Sequence, residues 1–116
     1  QRQVWMLLAR REDGSIRLQQ RPASGIWGGL WAPPEFASFA ALLESLVPAE
    51  AAAARSGEPV PHAFTHLDLL IHPVWVGAAA VPAGVADAAD GLWYNAARPA
   101  QVGLPAPIVQ LLQDPP

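Results

Sequence analysis

Apolar and polar positions change period several times along this 116-residue chain, and each change marks an element. Val4-Trp5-Met6-Leu7-Leu8-Ala9 is a continuous apolar run, the pattern of a strand buried on both faces. Glu12-Asp13-Gly14-Ser15 carries Asp-Gly at its centre and predicts a tight turn. Ile16-Arg17-Leu18-Gln19 alternates, which predicts the returning strand of a hairpin. Phe36, Phe39, Leu43 and Leu46 then recur at helical spacing, and Pro48 closes that helix. Pro48 to Arg55 reads as a second short helix with Gly57 beyond it, or as a loosely packed Ala-rich connection. Val60 to Val76 reads as two strands joined by a tight connection near Thr65 and His66, and Pro73 predicts a bulge or an edge position. Gly77 to Gly91 is small and Ala-rich, so it predicts a surface loop, and Leu92-Trp93-Tyr94 a short strand. Pro105 and Pro107 open a last helix that carries Ile108, Leu111 and Leu112 on one side. The succession implies an α/β (α+β) fold, a mixed sheet with helices on its faces.

One run stands out from this alternation. Arg21 to Phe36 holds Trp27 and Trp31 among Gly25, Gly28 and Gly29, with Pro22 before them and Pro33-Pro34 after. Each Trp ring can bury about 150–250 Å², and glycines allow positive φ or a close backbone approach. The run predicts a fixed turn-and-strand unit against the core, with a short strand around Gly29–Trp31. Taken alone it is an aromatic core corner with no chemistry of its own.

Composition narrows the classes. A hydrophobic fraction of 52% in 116 residues supports one domain, residues 1–116, with a real core. No Cys is present, which excludes disulfides, thiolate zinc sites and an iron–sulfur cluster within these residues and fits a cytoplasmic protein. No apolar run approaches the ~20 residues that span a bilayer, so no membrane association is expected. The net charge is −3, and all seven basic residues are Arg, scattered along the sequence. Such a chain cannot supply most of the phosphate affinity of a nucleic-acid complex by itself.

Candidate chemistry is sparse. Mg²⁺-dependent phosphate chemistry needs clustered carboxylates, and the predicted helix offers only Glu44, with Glu35 before it and Glu50 beyond Pro48. His62, His66 and His72 have only Asp68 near them, too little for a metal site. Thr65 beside His66 lacks the third group of a nucleophilic constellation. Phe64-Thr65-His66 remains as a recognition tip: a hydroxyl that donates and accepts, an imidazole, and a ring that can stack, all suited to a base edge. An ordinary strand end with the same residues is the plain alternative.

Four segments in order carry a resemblance. Arg21-Pro22 with Gly25-Ile26-Trp27-Gly28-Gly29-Leu30-Trp31 and Pro33-Pro34, then His62-Ala63-Phe64-Thr65-His66-Leu67, then Trp93-Tyr94-Asn95, then Gly103-Leu104-Pro105-Ala106-Pro107-Ile108, resemble the C-terminal domain of MutY-type adenine DNA glycosylases. They spread over practically the whole chain. The resemblance implies a Nudix fold and a domain excised from a larger base-excision repair enzyme, whose helical catalytic domain carries a 4Fe-4S cluster and removes adenine mispaired with 8-oxoguanine. It implies that this domain reads the 8-oxoguanine. The family's Phe-Ser-His loop maps onto Phe64, Thr65 and His66, with Thr in place of Ser. No catalytic residue, metal ligand or cofactor is then expected in these residues. The expected partners are duplex DNA bearing 8-oxoguanine:adenine pairs and the catalytic domain of the same protein, with the domain itself a monomer.

The Nudix hydrolase signature runs G-x5-E-x7-R-E-U-x-E-E-x-G-U, where U is aliphatic. Gly29 to Glu35 fits its first half by spacing, but its Arg-Glu-U-x-Glu-Glu positions hold Leu43-Glu44-Ser45-Leu46-Val47-Pro48. One carboxylate survives, so the resemblance implies a kept fold and a lost Mg²⁺ site. A free-standing Nudix hydrolase of oxidised nucleotides and a protein-interaction module remain the alternatives.

Overall fold

The computed structural model describes all residues from Gln1 to Pro116. Its spine is a parallel pair, β1 (Arg2–Arg10) and β7 (Asp68–Gly77), in unbroken register from Arg2↔Leu69 to Arg10↔Gly77. Each strand is flanked on its outer edge by two short strands in turn. Beside β1 stand β2 (Ile16–Gln20), which meets it at Arg10↔Ile16, and β4 (Glu35–Phe36) at Trp5 and Met6. Beside β7 stand β6 (Val60–Ala63) and β5 (Arg55–Ser56). β2 leaves β1 to pair with β8 (Gly91–Tyr94) and β3 (Trp31–Ala32). The sheet is therefore mixed, as the sequence pattern predicts.

Alternation along the spine sends side chains to two cores. Val4, Met6, Leu8, Ile71 and Trp75 pack with Ile108 and Leu111 of α4 (Ala106–Gln113). Leu7, Ala9, Val74 and Val76 pack with Leu42 and Leu46, in and just after α1 (Phe39–Glu44). Burial on both faces explains the continuous apolar run in β1. Met6, Leu8, Leu18, Ile71 and Ile108 are fully enclosed, each stabilising the fold by about 1.5–3 kcal/mol before entropy is counted.

The hairpin turn forms as its Asp-Gly predicts. Gly14 takes φ +90°, the Arg11 N–H donates to the Ser15 carbonyl at 2.9 Å, and the Ser15 N–H donates to Asp13 Oδ1 at 2.9 Å. That last bond, chiefly, holds the Asp13 carboxyl below its ordinary value.

Several elements differ from expectation. The helix begins at Phe39, because Phe36 is taken by β4 and the Ser38 hydroxyl caps the helix, accepting from the Ala41 N–H at 3.0 Å. It buries Leu42, and the turn after it Leu46, while Phe39 is exposed. It ends at Glu44, before Pro48, where the Ser45 hydroxyl donates to the Leu42 carbonyl at 2.6 Å. The second helix, α2, is one turn, Pro48–Ala51. The strand in the Trp-Gly run is Trp31–Ala32 rather than Gly29–Trp31.

Gly77–Gly91 is only partly surface: Ala78–Ala80 is a 3-10 turn with Ala80 and Val81 buried, and α3 spans Ala83–Ala86. Alanines give no polar contrast, so no period marks these pieces. Pro73 lies within central β7, not on an edge strand. Its carbonyl accepts from the Gly57 N–H at 2.9 Å. Around it the antiparallel register changes from Val60↔Ile71 to Ser56↔Val74. Three residues, Gly57 to Pro59, thus oppose His72 and Pro73. The bulge is on the partner segment, and the proline's missing donor falls at that break in the ladder.

Candidate nucleic-acid interface

β6 and β7 form a hairpin whose last pair is Ala63↔Asp68, leaving Phe64–Leu67 as its loop. The Phe64 N–H donates to the Leu67 carbonyl at 2.7 Å and closes it. Thr65 and His66 occupy the tip and are exposed, while Phe64 is half-buried. The three residues singled out in the sequence are therefore brought together, with the hydroxyl and the imidazole turned outward and the ring turned in.

The inward ring rests on a brace that sequence reasoning missed. Phe64 lies edge-on to His62, with centroids 4.7 Å apart, and tilted against Trp27 at 5.4 Å; Trp27 also meets His62 at 5.5 Å. His62 on β6 and Phe64, the first residue beyond it, stand two apart, so the alternation of the strand carries both rings to one face. The third partner comes from the Trp-Gly run, which no local period could connect to them. His62 is occupied in this brace and His66 is at the tip, so the two do not converge as ligands.

Trp27 is held in an unusual conformation, φ +54°, the one non-glycine residue of the chain with positive φ. The loop is bonded across itself: the Arg21 N–H donates to the Leu30 carbonyl at 2.8 Å, the Leu30 N–H to the Trp27 carbonyl at 3.0 Å, and Arg21 Nε to the Ile26 carbonyl at 2.9 Å. Such strain persists only where its surroundings over-determine it. Gly28 is one reason: a Cβ there would lie 2.9 Å from the Ala23 carbonyl carbon and closer still to its oxygen. Gly28→Ala is expected to cost about 1–3 kcal/mol and to unseat Trp27 from Phe64. Urea unfolding and the side-chain NOEs between the two rings check this, and intact NOEs at wild-type stability would contradict it.

Charge at this end of the sheet centres on Glu35. Its carboxylate meets Arg21 at 3.2 Å and Arg2 at 3.8 Å. Glu35 is the residue that fits the glutamate of the hydrolase signature's first half, and here it is held by two guanidinium groups. Arg2 remains half-exposed beside the tip, opposite Leu69 in register. His72 stacks on Trp5 with centroids 4.6 Å apart, and its Nε2 lies 2.7 Å from Gln3 Oε1. No three His, Asp or Glu side chains lie close enough together to hold a metal ion.

Residues 4–114 match the NUDIX domain family. The chain belongs to that family. Among solved structures, this Nudix domain is similar to the C-terminal domain of mouse MUTYH, determined in complex with human PCNA: TM-score 0.70, 17% identity, covering 96% of this chain and 84% of that one. It is similar to NrtR of Shewanella oneidensis, with TM-score 0.69 and 18% identity over 97% of this chain and 60% of that one. It is also similar to RenU, a Nudix hydrolase of M. smegmatis, with TM-score 0.56 and 20% identity over 97% of this chain and 82% of that one. These likenesses share the mixed sheet and flanking helices of the Nudix fold. No helix is long and apolar enough to cross a membrane.

Proposed function

We propose that this Nudix domain reads 8-oxoguanine for an adenine DNA glycosylase, within base excision repair. The observation that carries the proposal is the hairpin tip, where Thr65 and His66 stand exposed on a loop braced by Phe64, Trp27 and His62. 8-Oxoguanine differs from guanine at two neighbouring atoms: N7 becomes a donor and C8 gains an acceptor oxygen. The Thr65 hydroxyl both donates and accepts, so with a backbone N–H it answers that pair. His66 probes the exocyclic edge, and the rigid brace limits the entropy lost when the tip engages the base. The fold shared with the mouse MUTYH domain supports this reading. The glycosylase chemistry, adenine flipping and the 4Fe-4S cluster belong to a separate catalytic domain in the same protein, and the DNA partner carries an 8-oxoguanine:adenine pair.

In that complete enzyme His66→Ala is expected to lower the preference for 8-oxoguanine:A over G:A by about 5- to 150-fold, the equivalent of a polar base contact of ~1–3 kcal/mol. Thr65→Ser, which keeps the hydroxyl, is expected to change it only a few-fold. Single-turnover adenine release from both duplexes measures this; equal loss on the two substrates overturns the lesion-reading role.

Two rival readings have support of their own. A nucleotide hydrolase is supported by the shared fold with RenU, and Mg²⁺-dependent turnover of 8-oxo-dGTP by this chain alone would establish it. A protein-interaction module is supported by the complex of the mouse domain with PCNA, and a sliding-clamp pull-down tests it.

A further inference from the structure

The bulged segment opposite Pro73 and the end of α4 border a groove of about 600 Å³. That volume lies within the ~300–1,000 Å³ of ordinary ligand sites. Its charge is of one sign. Glu58 and Asp114 line it, both exposed, and no basic residue lines it with them. The chain's ion pairs both run to Glu35, so neither of these carboxylates has a cation of its own. Asp114 is also badly placed for the stability of the free fold. It caps the C-terminus of α4, where the helix dipole is negative and the last carbonyls lack intrahelical partners, and no basic residue stands in the last turn. A cation supplied from outside the chain relieves that repulsion.

The balance of donors and acceptors is an independent observation. Five prolines, Pro59, Pro61, Pro73, Pro115 and Pro116, form much of the wall and offer carbonyls but no N–H. One buried donor is left open among them. Trp75 is only 7% exposed. Its indole N–H has no acceptor in the chain, whereas that of Trp93 donates to the Ala86 carbonyl at 3.1 Å. No enclosed side-chain nitrogen or oxygen lacks a partner, so Trp75 Nε1 reaches the surface. It does so in this groove: a Cβ on Gly57 would stand 3.2 Å from Nε1 and 3.2 Å from Pro73 Cγ, and Gly57 and Pro73 both line the groove. The complement of such a site is positively charged and rich in donors, with one acceptor for the indole. An arginine within an extended peptide has that set, since the guanidinium carries five N–H donors and no acceptor and the peptide carbonyl accepts.

We propose that this groove binds an arginine-bearing, extended segment of a partner protein, with the guanidinium taken by Glu58 and Asp114 and a backbone carbonyl by the Trp75 indole N–H. The inference goes beyond lesion reading and stands without it, because the two carboxylates repel a phosphate backbone. The segment does not join the sheet as a further strand. β6 has β7 as its single neighbour, but Pro59 and Pro61 leave that edge poor in the N–H groups an added strand would use. Side-chain charge and one buried donor therefore carry the recognition.

The probe is a capped pentapeptide of alternating glycine and arginine, titrated into the ¹⁵N-labelled chain beside its lysine and glutamate counterparts and undamaged duplex. The five Trp residues give five indole N–H signals, and Trp75→Phe assigns one of them. The expected result is a shift of the Trp75 signal with the arginine peptide that exceeds the shifts of the other four, and a weaker response to the lysine peptide. In the double variant E58Q/D114N the dissociation constant rises about 2- to 30-fold, the range for losing two exposed ion pairs. The other indole signals keep their positions, which shows the variant folded. Gly57→Ala sets a methyl group against Nε1 without a change of charge, and it too weakens the peptide. No shift of the Trp75 signal, or an affinity that E58Q/D114N leaves intact, overturns the proposal. So does a response to duplex or to the glutamate peptide as large as that to the arginine peptide. An equal response to the lysine peptide overturns the guanidinium match, and full affinity in Gly57→Ala overturns the indole contact.

Discussion

Ile71→Ala is expected to lower the unfolding free energy by about 2–5 kcal/mol, the range for truncating an enclosed aliphatic side chain that leaves a cavity. Ile71 is fully buried at the crossing of the sheet, between Val4 of β1 and Val60 of β6, with α4 packed on the same face. Its neighbours are strands held by ladders on both sides, so little can move in to fill the void. Urea unfolding followed by Trp fluorescence measures the change; a loss under about 1 kcal/mol would mean that this face of the sheet is loosely packed. The same position links stability to the site, because β7 begins three residues earlier, at Asp68, where the hairpin loop ends. Exchange of the Phe64 amide is expected to quicken in this variant.

Arg17→Leu is expected to cost about 2–3 kcal/mol, from two charge-assisted bonds to backbone carbonyls offset by relief of burying the cation. Arg17 is only 5% exposed and has no carboxylate partner. One of its terminal nitrogens donates to the Val85 carbonyl at 3.1 Å and the Ala88 carbonyl at 2.9 Å. It therefore ties α3 and the turn after it to β2. Arg17 pairs with Trp93 on β8, and Gly91, two residues before Trp93, lacks the Cβ that would occupy the space of the guanidinium. The effect should be local first: amides of Asp87 and Ala88 exchange faster while those of β1 and β7 stay protected. Uniform quickening across the sheet would instead place Arg17 in the global core.

The hairpin between β6 and β7 is legible in the sequence because its signals are local. Alternation in Leu67, Leu69 and Ile71 and the break at Phe64-Thr65-His66 mark strand and loop within a dozen residues. The tip is therefore written in neighbouring residues, and its brace is not. Trp27 is distinctive in composition, yet its place against Phe64 and His62 depends on a left-handed backbone and a loop bonded across itself. Glu35 shows the same limit, since spacing aligns it with the hydrolase signature while its partners, Arg2 and Arg21, come from β1 and the end of β2. Pro73 is readable as an irregularity, but which strand carries the extra residue depends on the register of two separate short strands.

By itself the sequence determined the order of the main strands and helices, the Asp13-Gly14 turn, the two-faced burial of β1, the hairpin loop at Phe64-Thr65-His66, and the lack of thiol chemistry. Each is written in neighbouring residues, through side-chain alternation, turn chemistry or composition. Tertiary structure alone decided that Arg10, Arg11 and Arg55 share a cleft, that Arg17 is buried on backbone carbonyls, and that Trp27 meets Phe64 and His62. Those facts depend on which strands lie side by side and in what register, and register is fixed by the summed burial of both sheet faces rather than by any local run.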